Sequence, residues 1–268
     1  MKNEKIPNRK PKFPKRFLIL AALLAARPGF CGDFPAPSLP ELWRNTVKTV
    51  SAPARFTARD WLFASVFAGG LTVVYLNDGA LRDAAQHART GGTNSLASAV
   101  KPLGDGKYIL PALGAVYFFA AAAKNNELGR TLLLSAESFL IAGAIANAVK
   151  FGAHRARPGD SATPYEWRGP ALDGDGLSFP SGHSAAAFSV AGVIARRYKN
   201  HAFTPAIAYT AAGLCAWSRV NDNAHWASDA VAGSAIGLFT AWQVAGAEEG
   251  KAAFIIASAS GAALAVRF

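Results

Sequence analysis

The stretch TLLLSAESFLIAGAIANAV, residues 131–149, shows no alternation of apolar and polar residues with a period of two. It is longer than an ordinary strand, so its length favours an α-helix. One carboxylate, Glu137, interrupts the apolar run. A basic segment that ends in proline, KFGAHRARP at residues 150–158, follows directly. The stretch therefore predicts an apolar helix that leads into a charge-bearing turn.

Five further apolar segments resemble this one. Each is rich in Ala, Leu, Val and Phe, lacks two-residue alternation and is long enough to favour helix over strand. Together with residues 131–149 they predict an all-α fold, a six-helix bundle. The five segments cover residues 61–76, 108–123, 184–195, 203–217 and 229–246.

Segment length leaves two interpretations of this bundle open. Most segments contain about 12 to 19 residues, at or below the roughly 17 to 25 that a membrane-spanning helix needs. Glu137 and the high alanine content also permit a soluble helical core. Six apolar segments are nevertheless many for a soluble domain of this length. We therefore predict a transmembrane bundle, with a soluble bundle as the alternative.

The N-terminal residues combine a basic run with a short apolar run. Seven of the first sixteen residues are Lys or Arg, and FLILAALLAA follows at residues 17–26. This order is typical of a secretory signal, and ten apolar residues fall short of the roughly 20 that span a bilayer. We expect residues 1–32 to be an export signal, or alternatively an uncleaved anchor. Cleavage after Cys31 or Gly32 would leave only Cys215, and then no intramolecular disulfide can form.

Composition divides the rest of the chain into three parts. Residues 33–60 are proline-rich and mixed in polarity, which indicates a linker or a surface helix. Residues 61–246 hold the six predicted helices and form the main domain. Residues 247–268 are a C-terminal apolar tail, in which residues 252–268 fit either a seventh helix or a strand.

The charge balance bears on the partners. The chain has 28 Lys and Arg against 17 Asp and Glu, a formal net charge of +11. Such a surplus suits anionic partners. Because much of it lies in the N-terminal run, we expect acidic lipid headgroups or a phosphate-bearing substrate, and no nucleic acid.

The first of three polar clusters is KFGAHRARP, residues 150–158. If the preceding helix continues through it, Lys150 and Arg157 lie two turns apart on one face, and Pro158 ends the helix. Two long cations would then converge at a helix end. A basic rim at a membrane interface is the alternative. His154 and Arg155 stand at the positions between, where they would touch substrate or solvent.

The second cluster is Pro180-Ser181-Gly182-His183. Gly182 permits close backbone approach, and Ser181 can cap a helix that starts near Ser184. Free N–H groups at a helix N-terminus bind phosphate, and a histidine beside them can give or take a proton near neutral pH. An ordinary capped helix with a surface histidine is the alternative.

The third cluster is SRVNDNAHWASD, residues 218–229. His225 and Asp229 are four apart, so on a helix they would share a face. A carboxylate can keep one imidazole nitrogen protonated and leave the other free as a nucleophile. Arg219 adds a bidentate binder of oxyanions. A structural salt bridge between His225 and Asp229 is the alternative.

In this order, Lys-x6-Arg-Pro, Pro-Ser-Gly-His and Ser-Arg-x5-His-x3-Asp resemble the motifs of the type 2 phosphatidic acid phosphatase (PAP2) superfamily. The match covers residues 61–246 and agrees with the six-helix core of that family. The motif residues are Lys150, Arg157, Pro158, Pro180, Ser181, Gly182, His183, Ser218, Arg219, His225 and Asp229.

The resemblance implies a metal-independent phosphatase that needs no cofactor and works through a phosphohistidine. It implies that His225 is the nucleophile, that Asp229 orients it and that His183 protonates the leaving alcohol. Water then attacks the phosphoenzyme. The residues expected to cradle the phosphoryl oxygens are Lys150, Arg157, Ser181, Gly182 and Arg219.

Substrate and location follow from where the motifs lie. A site at the ends of apolar helices in an exported or membrane chain favours a lipid phosphate: phosphatidate, undecaprenyl pyrophosphate, phosphatidylglycerophosphate or a lipid A phosphate. If residues 17–26 do not cross the membrane, the positive-inside rule predicts that the site faces away from the cytoplasm, in the inner membrane of a bacterial-type cell envelope. If instead the protein is exported to the periplasm, a small phosphomonoester becomes the expected substrate.

Three other functions share the same pocket. Vanadium-dependent haloperoxidases also resemble this superfamily, and in them the corresponding histidine binds vanadate; halide oxidation that requires vanadate would identify one. An acceptor alcohol in place of water would make the protein a transferase. A degenerate protein that only binds lipid is disfavoured, because the motifs are intact.

Overall fold

The computed structural model describes residues 34–170 and 177–259, with side chains as far as residue 247. The predicted signal or anchor, residues 1–32, lies outside this range. Every regular element in the described part of the chain is helical. The prediction of an all-α fold is confirmed.

Nine α-helices and two short 3₁₀-helices make up the described residues. The 3₁₀-helices are Ala52–Arg55 and Lys101–Gly104. The α-helices are α1 (Leu39–Val50), α2 (Ala58–Leu76), α3 (Asp78–His87), α4 (Gly91–Val100), α5 (Gly106–Ala122), α6 (Asn126–Ala153), α7 (Gly182–Arg197), α8 (Thr204–Asn221) and α9 (Ala227–Ala259).

Each of the six predicted apolar segments lies in a helix or extends at most one residue beyond it; the helices are α2, α5, α6, α7, α8 and α9. α1 falls in the stretch predicted as a linker or surface helix. α3 and α4 have only 10 residues each and were not predicted. α9 continues to Ala259, so the described part of the C-terminal tail is helix and not strand.

Local sequence explains where several helices begin. The Thr57 side chain accepts from the backbone N–H of Asp60, whose carboxylate bonds back to Thr57, so a capping box starts α2. Asn125 caps α6 in a similar way, since its side chain accepts from Leu128 N at 3.0 Å. These caps satisfy N–H groups that have no partner within the helix.

α7 lies at the centre of the bundle and packs against α6, α8 and α9. Small residues allow the close approach: Ala187 and Ala191 of α7 meet Ala212 and Cys215 of α8. On the other side, a Cβ on Gly237 of α9 would lie 2.4 Å from the carbonyl oxygen of Ala185. The N-terminus of α7 is therefore surrounded by neighbouring helices.

Helix direction brings four helix ends together. Ser181 N, at the start of α7, donates to the carbonyl oxygen of Asp229, at the start of α9. Lys150, near the end of α6, reaches the carbonyl oxygen of Leu177 just before α7. Arg219, near the end of α8, accepts through its carbonyl oxygen from His225 N. All three polar clusters thus lie at one end of the bundle.

The helices identify a membrane protein. Among the described residues, α6 and residues Ala227–Ala247 of α9 are long and apolar enough to cross a membrane; α2 and α3, bent by 59° at their junction, would form a third span together. α2 buries none of its residues. It exposes bulky apolar side chains that fit lipid better than water, among them Trp61, Phe63 and Val66.

Glu137, which permitted a soluble interpretation, is paired within the protein. Its side chain lies in the middle of α6, and the residue is only 9% exposed. Oε2 of Glu137 accepts a hydrogen bond from Nδ2 of Asn45 in α1, at 2.7 Å. An ionisable residue in a spanning helix is expected to face a polar partner in this way.

Candidate active site

The helix that carries Lys150 ends earlier than predicted. α6 stops at Ala153, and His154 caps it in the left-handed conformation, with φ of 46°. Arg157 therefore lies beyond the helix, and the prediction that it shares a helix face with Lys150 is wrong. The chain turns away because residues 154–156 pair with residues 166–168 through backbone hydrogen bonds and a bridge between Arg155 and Trp167.

Lys150 is nevertheless directed at the second cluster. The residue is 8% exposed. Its Nζ donates to the carbonyl oxygens of Leu177 at 2.8 Å and Ser178 at 3.3 Å. A Cβ on Gly182 would lie 3.8 Å from Lys150 Cε. The ammonium group is thus held beside the first residue of α7.

Ser181 caps α7, as predicted, although the helix begins at Gly182 and not near Ser184. Its Oγ accepts from the backbone N of Ser184 at 3.3 Å. A Cβ on Gly233 would lie only 2.2 Å from the carbonyl oxygen of Ser181, so α9 can pack against this cap only with a glycine there. The positive end of α7 is therefore fixed among the predicted site residues.

His183 does not behave as a surface histidine. Its Nε2 is buried and has no hydrogen-bond partner among the residues that the structure describes. The 3₁₀-helix Lys101–Gly104 packs beside it, because a Cβ on Gly104 would lie 2.6 Å from the His183 carbonyl oxygen. A buried ring nitrogen without a partner is a rare arrangement, and it leaves that nitrogen available to a ligand.

Arg219 brings a guanidinium group to the same end of the bundle. The residue lies in the last turn of α8 and is 6% exposed. Nη1 donates to Asp222 Oδ2 at 3.1 Å. Nε is buried and lacks a partner within the described part of the chain. Arg219 and His225 both lie close enough to His183 to act on it electrostatically.

His225 and Asp229 are paired, but not as successive turns of one helix. α9 begins at Ala227, so His225 precedes it, and the prediction of a shared helix face is wrong. Nδ1 of His225 lies 3.7 Å from Oδ2 of Asp229. The backbone N of His225 donates to the carbonyl oxygen of Arg219 at 3.2 Å, which ties the histidine to the end of α8.

The Asp229 carboxylate is held at both oxygens. Oδ2 accepts from Ser178 Oγ at 2.5 Å and from Trp226 N at 2.9 Å, while Oδ1 accepts from Arg155 Nη1 at 2.6 Å. Ser178 Oγ also lies 3.5 Å from His225 Nδ1. Ser178 was not predicted as a site residue, although it stands directly before the Phe179-Pro180 turn.

His154 and Arg155 were expected to touch substrate or solvent, and both are buried instead. Arg155 forms ion pairs with Asp229 at 2.6 Å and with Asp78 at 2.7 Å. Asp78 was also missed. It stands at the start of the unpredicted helix α3, and nothing in the sequence around it points to Arg155.

Burial controls the protonation of His225, which is 4% exposed. Desolvation lowers the pKa of the imidazole to about 4 from the ordinary value of 6.5, and the charges of Lys150 and Arg157 also lower it. The negative charge of Asp229, whose carboxylate lies 3.7 Å from Nδ1, acts in the opposite direction. At neutral pH the ring is therefore neutral, with Nδ1 facing Asp229.

These groups are chemically suited to bind and attack a phosphoryl group. A neutral imidazole held by a carboxylate is the usual form of an activated histidine nucleophile. Lys150 and Arg219 provide positive charge in buried positions, where charge stabilises a transition state strongly, and Arg157 adds a third cation that is exposed. The class of protein so defined is a membrane protein with a phosphoryl-transfer site at one end of its bundle.

Comparison with known proteins gives the family. Residues 131–249 match the family model described as the PAP2 superfamily. That region contains all three motifs and most of the four helices, α6 to α9, that carry them. It therefore belongs to the PAP2 superfamily, and the resemblance inferred from the sequence is confirmed.

Individual relatives share parts of the chain. A lipid A 1-phosphatase from Porphyromonas gingivalis is 31% identical over 121 residues, which are 45% of this chain and 24% of that protein. The chain therefore spans about a quarter of that relative's length.

Two solved structures have a similar fold. A transmembrane PAP2-type phosphatidylglycerolphosphate phosphatase from Bacillus subtilis has a TM-score of 0.51 at 25% identity, covering 71% of this chain and 94% of that one. Aquifex aeolicus LpxE has a TM-score of 0.45 at 20% identity, covering 61% and 92%.

Proposed function

We propose that the protein is a metal-independent phosphatase that releases phosphate from a lipid phosphate monoester or pyrophosphate through a phosphohistidine. The observation that carries this proposal is the buried His225, with Nδ1 3.7 Å from the Asp229 carboxylate. A histidine in this setting is neutral and oriented, which a nucleophile requires. The cations around it match the charge of a phosphate.

In the first step Nε2 of His225 attacks phosphorus, and the bond from phosphorus to the alcohol oxygen breaks. His183 gives its proton to that oxygen, so the alcohol leaves neutral. In the second step water attacks phosphorus, His183 takes up the proton of the water, and the bond from phosphorus to nitrogen breaks. Inorganic phosphate is released and both histidines return to their starting states.

Phosphoryl transfer depends mainly on positioning and on stabilisation of charge. Three cations and the N-terminus of α7 serve the phosphoryl oxygens here. The partnerless Nε of Arg219 and the backbone N–H groups that follow Ser181 supply donors. We assign phosphate binding to Lys150, Arg157, Ser181, Gly182 and Arg219.

A lipid substrate is supported by the place of the site and by the relatives. Lys150 and Asp229 lie at the ends of the two helices that are long and apolar enough to cross a membrane. A headgroup at the bilayer surface would reach such helix ends without leaving the lipid. Two of the relatives are described as a lipid A 1-phosphatase and a phosphatidylglycerolphosphate phosphatase.

We place the protein in the inner membrane with the site towards the periplasm. The opposite end of the bundle carries Lys124 and Arg130 near the start of α6, and Arg196, Arg197 and Lys199 at the end of α7. Basic residues of this kind favour the cytoplasmic side. The site, at the other ends of the same helices, would then face outward.

The test is a phosphate-release assay on the full chain in lipid vesicles, with the four lipid phosphates named above and soluble phosphomonoesters as a panel. Turnover of at least one lipid phosphate, unchanged by a chelator, is the expected result. Turnover of soluble esters alone would support a small-molecule acid phosphatase instead. Loss in chelator that a divalent metal restores would contradict the metal-independent mechanism, and vanadate-dependent halide oxidation would identify a haloperoxidase.

The pH dependence of kcat/KM should show the lowered pKa of His225. Because this pKa lies at about 4, below the ordinary 6.5, the imidazole stays neutral until the pH falls through about 4, where activity is lost. The measurement uses two substrates whose phosphate groups differ in pKa. A fall in activity at low pH that occurs at the same pH with both substrates is caused by the enzyme and not by the substrate. A common limb near 6.5 would show that His225 is not held in its neutral form.

A further inference from the structure

Arg155 is a fully buried cation that binds two carboxylates from different helices. Its exposed fraction is 0%. Nη1 donates to Asp229 Oδ1 at 2.6 Å, and Nη2 donates to Asp78 Oδ2 at 2.7 Å. The guanidinium group thus connects α3 to the residue that faces the proposed nucleophile.

The surroundings of Arg155 leave it little freedom. Its guanidinium carbon lies 5.0 Å from the ring centroids of both Tyr75 and Trp167, and 5.4 Å from that of Trp226. Nε and Nη2 both donate to the carbonyl oxygen of Pro164, at 3.0 and 2.8 Å. Because the planar guanidinium group is contacted on its faces and along its edges, its remaining N–H donors point in a fixed direction.

Asp78 completes the connection. The 59° bend between α2 and α3 places it at the start of α3. Its Oδ1 accepts from the backbone N of Ser228 at 2.9 Å, and its Oδ2 accepts from the Ser228 hydroxyl as well as from Arg155. Asp78 therefore holds both Arg155 and the first turn of α9, which carries Asp229.

Two buried carboxylates that share one guanidinium depend on it. A buried charge that loses its partner is strongly destabilised, so without Arg155 the two ionised carboxylates would repel each other and turn apart. Asp229 would then lose its orientation towards His225 Nδ1. Without the charge of Asp78, Arg155 would neutralise Asp229 more completely, which makes Asp229 a weaker partner for the imidazole.

We infer that Asp78 and Arg155 are positioning residues for phosphoryl transfer, because together they fix the orientation and the effective charge of the Asp229 carboxylate. Neither residue touches the phosphoryl group in this role. The inference rests on the proposed function, in which His225 is the nucleophile. It assigns a role to two buried residues that the three motifs do not specify.

The two residues should shift the acid limb of the activity in opposite directions. The charged or titratable groups that face His225 are Asp229 of α9, Lys150 of α6, Arg157 of the following segment and His183 of α7. Removing the negative charge of Asp78 makes the electrostatic potential at His225 more positive and lowers the pKa of His225. Removing the positive charge of Arg155 makes the potential at His225 more negative and raises the pKa of His225.

The experiment compares Asp78→Asn, Arg155→Met and Arg155→Lys with the double variant Asp78→Asn/Arg155→Met, each as the full chain in vesicles. Glu166→Gln serves as the matched control, since it neutralises a carboxylate of the loop that follows Arg155 whose side chain is 37% exposed. For every variant kcat, KM and the acid limb are measured, and thermal unfolding reports on folding.

We expect kcat to fall about tenfold to a hundredfold in the single variants with KM nearly unchanged, because the nucleophile is misplaced while phosphate binding persists. The acid limb should move to lower pH in Asp78→Asn and to higher pH in Arg155→Met. It should return towards the wild-type position in the double variant. Arg155→Lys should recover part of the kcat, and Glu166→Gln should match the wild type.

Folded single variants with wild-type kcat and an unmoved limb would overturn the inference, as would limbs that move in the same direction. If Arg155→Met does not fold, Asp78→Asn decides by its kcat and its acid limb, and Arg155→Lys, which keeps the charge, decides by whether its kcat falls below that of the wild type. A wild-type protein without turnover, or one that keeps its turnover in His225→Ala, would overturn the proposed function and the positioning role together. Failure of the single variants to differ from an active wild type overturns the positioning role alone.

Discussion

Replacing His225 with alanine is expected to reduce phosphate release more than about a thousandfold, because the variant lacks the imidazole on which the proposed covalent intermediate forms. The fold should survive this change. The Asp229 carboxylate keeps its bonds from Ser178, Trp226 and Arg155, so no buried charge is left without partners. The loss of activity can then be assigned to chemistry.

The measurement has two parts. Steady-state release of phosphate gives the loss of turnover, with His201→Ala as the control, since His201 is exposed and lies outside the site. Rapid quenching with labelled substrate then tests for a phosphohistidine, which is stable in base and labile in acid. The label should appear in the wild type and in His201→Ala but not in His225→Ala. Label that persists in His225→Ala would show that another residue is the nucleophile.

The long helices could be predicted because their evidence is local. An apolar segment as long as residues 131–149, with a single carboxylate inside it, has few alternatives to a helix. Ser181 could be predicted as a helix cap from the residues next to it in the sequence. The helix ends near the site could not be placed so well. The end of α6 depends on the pairing of residues 154–156 with 166–168, and the start of α9 at Ala227 depends on a carboxylate from α3.

The site was predicted only as far as its motifs extend. The fixed spacings of the motifs identify His183, His225 and Asp229 as site residues. They do not indicate which other residues hold these three side chains in place. Arg155 and Asp78 are 77 positions apart, and neither stands out from its neighbours in the chain. Their pairing arises only when the bend after α2 and the turn after α6 bring two distant segments to the same place.

Replacing His183 with glutamine is expected to slow release from an alkyl phosphate by about a hundredfold to ten-thousandfold, the usual contribution of a general acid. The side chain is placed for that role because its Nε2 is buried without a partner in the described structure. Burial and the charge of Arg219 lower the pKa of His183 to about 4 in the free protein, so the role requires that the negative charge of bound phosphate keeps the ring protonated. Glutamine keeps a polar group of similar length but cannot deliver a proton to the leaving oxygen. Formation of the phosphoenzyme should therefore become the slow step.

The leaving group distinguishes this role from simple phosphate binding. The leaving group of an aryl phosphate such as p-nitrophenyl phosphate departs as a stable anion and needs little protonation. His183→Gln should therefore reduce kcat/KM much less with this substrate. The measurement is the ratio of kcat/KM for the alkyl and aryl esters, in the variant and in the wild type, with His87→Gln as an exposed control. Equal losses on both esters would show that His183 binds the phosphoryl group without acting as the acid. A ratio that falls at least tenfold assigns the proton to His183, since a residue that only holds phosphate would affect both esters alike.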